Sequence, residues 1–156
     1  MTRSYLGYVS SQTTDTIVVQ GYGTATGGTA ISPDPTIDGI VYRVLQFTGD
    51  GTLTVTKSGL FDVYLQASGG AGGKGGGSSQ GGGGGGAGGK LQTTIFLDAN
   101  ATVTIGADAA ANTYGYNDNS GNSVSIGTLS VAGGGGGATR QSGLDIRPAT
   151  KGGCGG

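Results

Sequence analysis

The sequence predicts an all-β chain: a small β-sandwich-like domain with packed polyglycine II-type loops and no significant helix. Three observations carry that prediction. All nine acidic residues are Asp, so glutamate is missing from the helix-forming set, while Thr, Val, Ile and Tyr are common. Apolar residues recur with period two over short runs, the pattern of strands buried on one face. Glycine supplies 38 of the 156 residues and is concentrated in runs that are entered from strand ends.

In chain order, the first strand expected is at residues 16–20 (TIVVQ). Residues 21–39 hold Pro33, Pro35 and several glycines with little periodicity, and read as an irregular connection. Strands follow at 40–47 (IVYRVLQF), 53–56 (LTVT) and 60–67 (LFDVYLQA), with turns at Gly49-Asp50-Gly51 and Lys57-Ser58-Gly59. In the last of these Phe61, Val63 and Leu65 alternate with Asp62, Tyr64 and Gln66. Beyond the long glycine run, Leu91, Thr93, Ile95 and Leu97 alternate with Gln92, Thr94 and Phe96. Asp98-Ala99-Asn100 then turns into a strand at 102–105 (TVTI), and a polar loop at 112–123 leads to strands at 124–126 and 129–131. Five glycines from Gly133 close the pattern. The implied organisation is an N-terminal strand and irregular anchoring segment (1–41), a glycine-rich β domain (42–138) and a C-terminal tail (139–156).

The long run, SGGAGGKGGGSSQGGGGGGAGGK at 68–90, returns to the same kind of strand that it left. A linker between domains does not do this. In its first arm Ala71 and Lys74 fall three apart, and in its second Ala87 and Lys90 do. Such spacing fits an extended helix of three residues per turn, with the non-glycine side chains along one edge. The other edges are then bare backbone that can approach and hydrogen-bond neighbouring chains. Nine residues make an arm of roughly 28 Å, with Ser78-Ser79-Gln80 as the reversal at its tip. Dihedrals of the polyproline II type are expected, or their mirror image, which achiral glycine also allows. Ala71, Lys74, Ala87 and Lys90 are expected to form an exposed stripe.

The segments GDGTLTVTKSG, FDVYLQASGGAGGKGGG, GGGGGGAGGKLQTTIFLDANATVTIGAD and GNSVSIGTLSVAGGGGG, spanning about residues 42–138, resemble the glycine-rich domain of bacteriophage tail fibres and related virion appendages. The resemblance implies a small β structure capped by packed polyglycine helices, often in a trimeric assembly. This chain departs from the family in having only three main glycine clusters, and residues 1–41 and 139–156 fall outside the match. The same resemblance implies a virion structural protein, a tail fibre or tail appendage component, and host-surface contact is an expectation that goes with it. A capsid decoration protein anchored by residues 1–41 is the alternative, and a fibre-borne glycan hydrolase is the alternative from another class.

Catalysis lacks its usual materials. The chain has no His, and its one cysteine, Cys154, sits among glycines with no base beside it. Asp98, Asp108 and Asp118 show no spacing that would pair two carboxylates, and turn formation explains them. The GxxxxGK spacing at 84–90 mimics a phosphate loop, but Leu91 stands where a hydroxyl should meet magnesium and a strand follows where a helix should start. Asp118, Ser120 and Asn122 suggest a calcium loop, with the glycine at the wrong offset and no closing Glu. No cofactor, metal or catalytic residue is therefore expected.

Recognition is expected instead at Tyr114 and Tyr116, with Asn117, Asp118 and Asn119 beside them, because rigid aromatic faces among amides suit a sugar or another protein. Packing of both rings over a neighbouring strand or subunit reads equally well. A net charge of −1 gives no general pull on nucleic acid or anionic lipid, and no apolar run is long enough to span a bilayer. The chain is expected to be made in a host cytoplasm and carried in the virion. Its partners are expected to be itself, as a homotrimer, other virion proteins through residues 1–41, and a host surface glycan or outer-membrane component.

Overall fold

The computed structural model describes residues 21–76, 81–110, 120–140 and 146–150. The strand expected at 16–20, the reversal at Ser78-Ser79-Gln80 and Cys154 lie outside them. Thirteen strands occur among the described residues, and no helix. They are β1 (Thr24–Thr26), β2 (Thr29–Ala30), β3 (Thr36–Ile37), β4 (Ile40–Val41), β5 (Leu45–Gln46), β6 (Gly51–Lys57), β7 (Gly59–Gln66) and β8 (Lys90–Leu97). Then come β9 (Ala101–Ile105), β10 (Val124–Ile126), β11 (Leu129–Val131), β12 (Thr139–Arg140) and β13 (Ile146–Arg147). The fold class is all-β and antiparallel.

Two layers form the body. One is a five-stranded antiparallel sheet in the order β1-β6-β9-β10-β11. The other is the β7/β8 hairpin, whose eight residue pairs run from Gly59↔Leu97 to Gln66↔Lys90. Strand β7 lies over β10 and β11. Between the layers sit Leu53, Ala101, Val103, Val124 and Ile126 from the sheet and Leu65 and Ala67 from the hairpin. The alternation of Phe61, Val63 and Leu65 points them inward while Asp62, Tyr64 and Gln66 face out, and Leu91, Thr93, Ile95 and Leu97 are inward on β8. Two long-range side-chain bonds fasten the β6/β9 pair: Asn100 Oδ1 accepts from Val55 N at 2.9 Å, and Asp50 Oδ1 from Ile105 N at 2.8 Å.

The N-terminal third differs from expectation. Residues 40–47 are not one strand but two short pieces, β4 paired with β3 and β5 paired with β2. The turn Asp38-Gly39, with φ of 50° and 80°, closes the β3/β4 hairpin in the mirror-type geometry that a two-residue loop requires. The bond from Tyr42 N to the Pro35 carbonyl, 2.9 Å, extends it. Residues 21–39, expected to be irregular, contain three short strands, and β1 pairs with β6 in the main sheet. Ladders of two or three residues are too short to carry a visible period.

Candidate functional site

The hairpin strands do not stop at Gln66 and Lys90; they change geometry and continue as glycine arms. Residues 67–76 leave β7 as arm 1, residues 81–89 enter β8 as arm 2, and residues 132–138 leave β11 as arm 3. Ala67, Gly70 and Gly73 donate their N–H groups to the carbonyls of Gly89, Gly86 and Gly83 at 2.7–2.9 Å. Those same three residues of arm 2 donate to Ala132, Gly135 and Ala138 of arm 3 at 2.7–2.9 Å. Arm 3 closes the ring, Gly134 and Gly137 donating to Ser68 and Ala71 of arm 1 at 2.8–2.9 Å. Every step along every arm is three residues. Arms 1 and 3 are parallel and arm 2 is antiparallel to both, so the three close on one another as a triangular bundle of three-residue helices.

Positive φ is confined to Gly27, Gly28, Gly39 and Gly127 among the described glycines, all outside the arms. The arms therefore share the hand of polyproline II, and the mirror form is not used. Glycine is required here by proximity: a Cβ on Gly70, Gly85 or Gly134 would overlap the carbonyl of Gly135, Gly70 or Gly86 respectively. Residues 133–137 are all buried although none carries a side chain, because backbone surrounds them. Gly121 adds a further neighbour, donating to the Gly134 carbonyl at 2.7 Å, and Thr150 another, its Oγ1 accepting from Gly136 N at 2.7 Å. At the root, Ser68 Oγ accepts from Asn122 N at 3.0 Å.

The row of arm 2 that carries Ala87 and Lys90 is exposed throughout, whereas on arm 1 the exposed positions are Gly69, Gly72 and Lys74. Ala87 shares the outer row of arm 2 with Gly81 and Gly84, where a Cβ would meet nothing within 4 Å. Lys74, Ala87 and Lys90 are exposed and Ala71 is half-buried. Tyr114, Tyr116, Asn117, Asp118 and Asn119 lie outside the described residues.

A second surface was not singled out by sequence reasoning. On the outer face of the hairpin, Thr94 Oγ1 donates to Asp62 Oδ1 at 2.6 Å and the Tyr64 hydroxyl to Gln66 Oε1 at 2.8 Å. A parallel bridge between Tyr22 and Leu60 lays Tyr22 beside β7, and its ring meets Tyr42 edge to face at 6.0 Å and 83°. The Asp62 carboxylate foremost, and then Tyr42, hold the Tyr22 phenol above its ordinary pKa. The outward phase of Tyr64 and Phe96 was legible in the alternation, but nothing local marked Tyr22 as their neighbour.

No protein family, curated protein or solved structure matches the chain. Among the described residues no cluster of His, Cys, Asp or Glu could hold a metal ion, and no helix is long and apolar enough to cross a membrane. The arrangement is a β body continued by a hydrogen-bonded backbone lattice.

Proposed function

We propose that the chain is a structural component of a bacteriophage particle, a tail fibre or tail appendage protein in which a β body carries a glycine-helix block toward the host surface. The observation that carries this reading is the closed three-residue hydrogen-bond register among arms 1, 2 and 3. Such a block gives stiffness to a segment with no hydrophobic core of its own, which is what a slender appendage needs at a loaded end. Copies of the chain assemble as trimers, residues 1–41 seat them on other virion proteins, and the Tyr114/Tyr116 loop meets the host surface. The chain serves by binding and shape and not as an enzyme.

An antibody raised against the chain tests this. On purified particles it should decorate one fixed position, at the tail. Decoration of the capsid would replace the tail assignment with that of a head decoration protein, and absence of the chain from purified particles would overturn the virion reading.

A further inference from the structure

The outer face of the β7/β8 hairpin exposes three aromatic rings around one carboxylate. Tyr22 is 49% exposed, Tyr64 58% and Phe96 43%, which is unusual in a chain this poor in large apolar residues. Their placement follows from the register. Leu60 pairs with Phe96 on one side and bridges Tyr22 on the other, so these two rings flank β7 about 10 Å apart, two strand spacings. Tyr64 lies four residues along the same strand, roughly 13 Å away. Asp62 falls between Leu60 and Tyr64, opposite Thr94, whose hydroxyl fixes its carboxylate. Gln92 stands opposite Tyr64, and Gln66 accepts from the Tyr64 hydroxyl while keeping its amide donors.

We propose that this face binds a neutral polysaccharide chain, the rings stacking on the apolar C–H faces of successive sugars while Asp62, Gln66 and Gln92 take their hydroxyls. The surface is flat and open along the hairpin, which suits an extended polymer better than a small molecule. Its charges are Asp62 in the middle and Lys90 at the far end, so a polyanion would meet the Asp62 carboxylate at the centre of the site. A protein partner, including a second copy laid on this face, would have to strip water from Asp62, Thr94, Gln66 and Gln92 together. Burying such groups without matched partners is costly, whereas sugar hydroxyls offer donors and acceptors throughout. Only its setting, a host surface glycan met by an appendage, rests on the reading above; binding itself is a property of the purified chain.

Affinity electrophoresis of the purified full chain through gels containing dextran, amylose, galactomannan or a soluble cellulose ether tests the inference. At least one neutral polymer should retard the chain, polygalacturonate should not, and the double variant Tyr64→Ala, Phe96→Ala should lose at least tenfold in affinity with an unchanged circular dichroism spectrum. Asp62→Asn should weaken retardation by a smaller factor. Should the double variant misfold, nuclear magnetic resonance of the unaltered chain with a hexasaccharide of the retarding polymer decides: shifts must centre on Tyr22, Asp62, Tyr64 and Phe96. Retardation by none of the four neutral polymers, retardation undiminished in the folded double variant, or shifts centred elsewhere would overturn the assignment. Failure here leaves particle labelling unaffected, and failure of labelling leaves binding unaffected.

Discussion

Gly84 and Gly85 are neighbours with opposite surroundings. A Cβ on Gly84 would point into open space, while one on Gly85 would run into the Gly70 carbonyl. Gly84→Ala should therefore leave the native state unstrained and restrict only the unfolded chain, a gain of about 0.4–1 kcal/mol. Gly85→Ala must push arms 1 and 2 apart, an overpacking cost of about 1–3 kcal/mol. Thermal melting of the two variants should move in opposite directions. Tyr22 supports a second prediction. Because Asp62 raises its pKa in the folded chain, the native state holds the phenolic proton more tightly than the unfolded state does. The associated stability is present below the ordinary tyrosine pKa, about 10, and is lost as pH rises through the raised value. Phenolate absorbance should show one tyrosine titrating later than free tyrosine, and Asp62→Asn should bring it back toward the ordinary value.

At the scale of the element, the arms obey a period that the sequence displays only where a side chain interrupts the glycine. Ala71, Lys74 and Ala87 revealed the spacing, and the structure leaves Lys74 and Ala87 exposed and Ala71 half-buried. Two glycines inserted between Gly69 and Gly70 would carry Ala71 into the place of Gly73, whose Cβ would strike the Ala138 carbonyl, and Lys74 into the buried place of Gly76. Three inserted glycines would carry Ala71 into the place of Lys74 and restore the phase. The two-residue insertion should thus lower the melting temperature more than the three-residue one. The body was legible for the same kind of reason: eight-residue strands such as β7 and β8 repeat their inward residues often enough to show a period. Residues 40–47 misled because their apolar content is divided between two ladders of two pairs, set by the Asp38-Gly39 turn and by partners far back in the chain. Tyr22 beside Asp62 and Gly121 beside arm 3 are contacts across long sequence separations. No local pattern encodes them.

For the whole molecule, two different kinds of cohesion meet at one boundary. The body rests on a small apolar core, in which none of the described side chains is fully buried, and the arms rest on backbone hydrogen bonds. A core this modest leads us to expect that copies associate, as a trimer, to bury more surface. Sedimentation equilibrium of the purified chain should give three times the 15.0 kDa chain mass, and a fully folded monomer at micromolar concentration would contradict it. The central claim, that the glycine runs form a closed hydrogen-bonded bundle continuous with the strands, is open to amide hydrogen exchange read residue by residue. Protection should recur every third residue: at Gly70 and Gly73 in arm 1, at Gly83, Gly86 and Gly89 in arm 2, and at Gly134 and Gly137 in arm 3, where Gly136 is protected as well by its bond to Thr150 Oγ1, with Gly72 and Gly84 exchanging fast. Uniformly fast exchange along the arms, or protection without that period, would contradict the account.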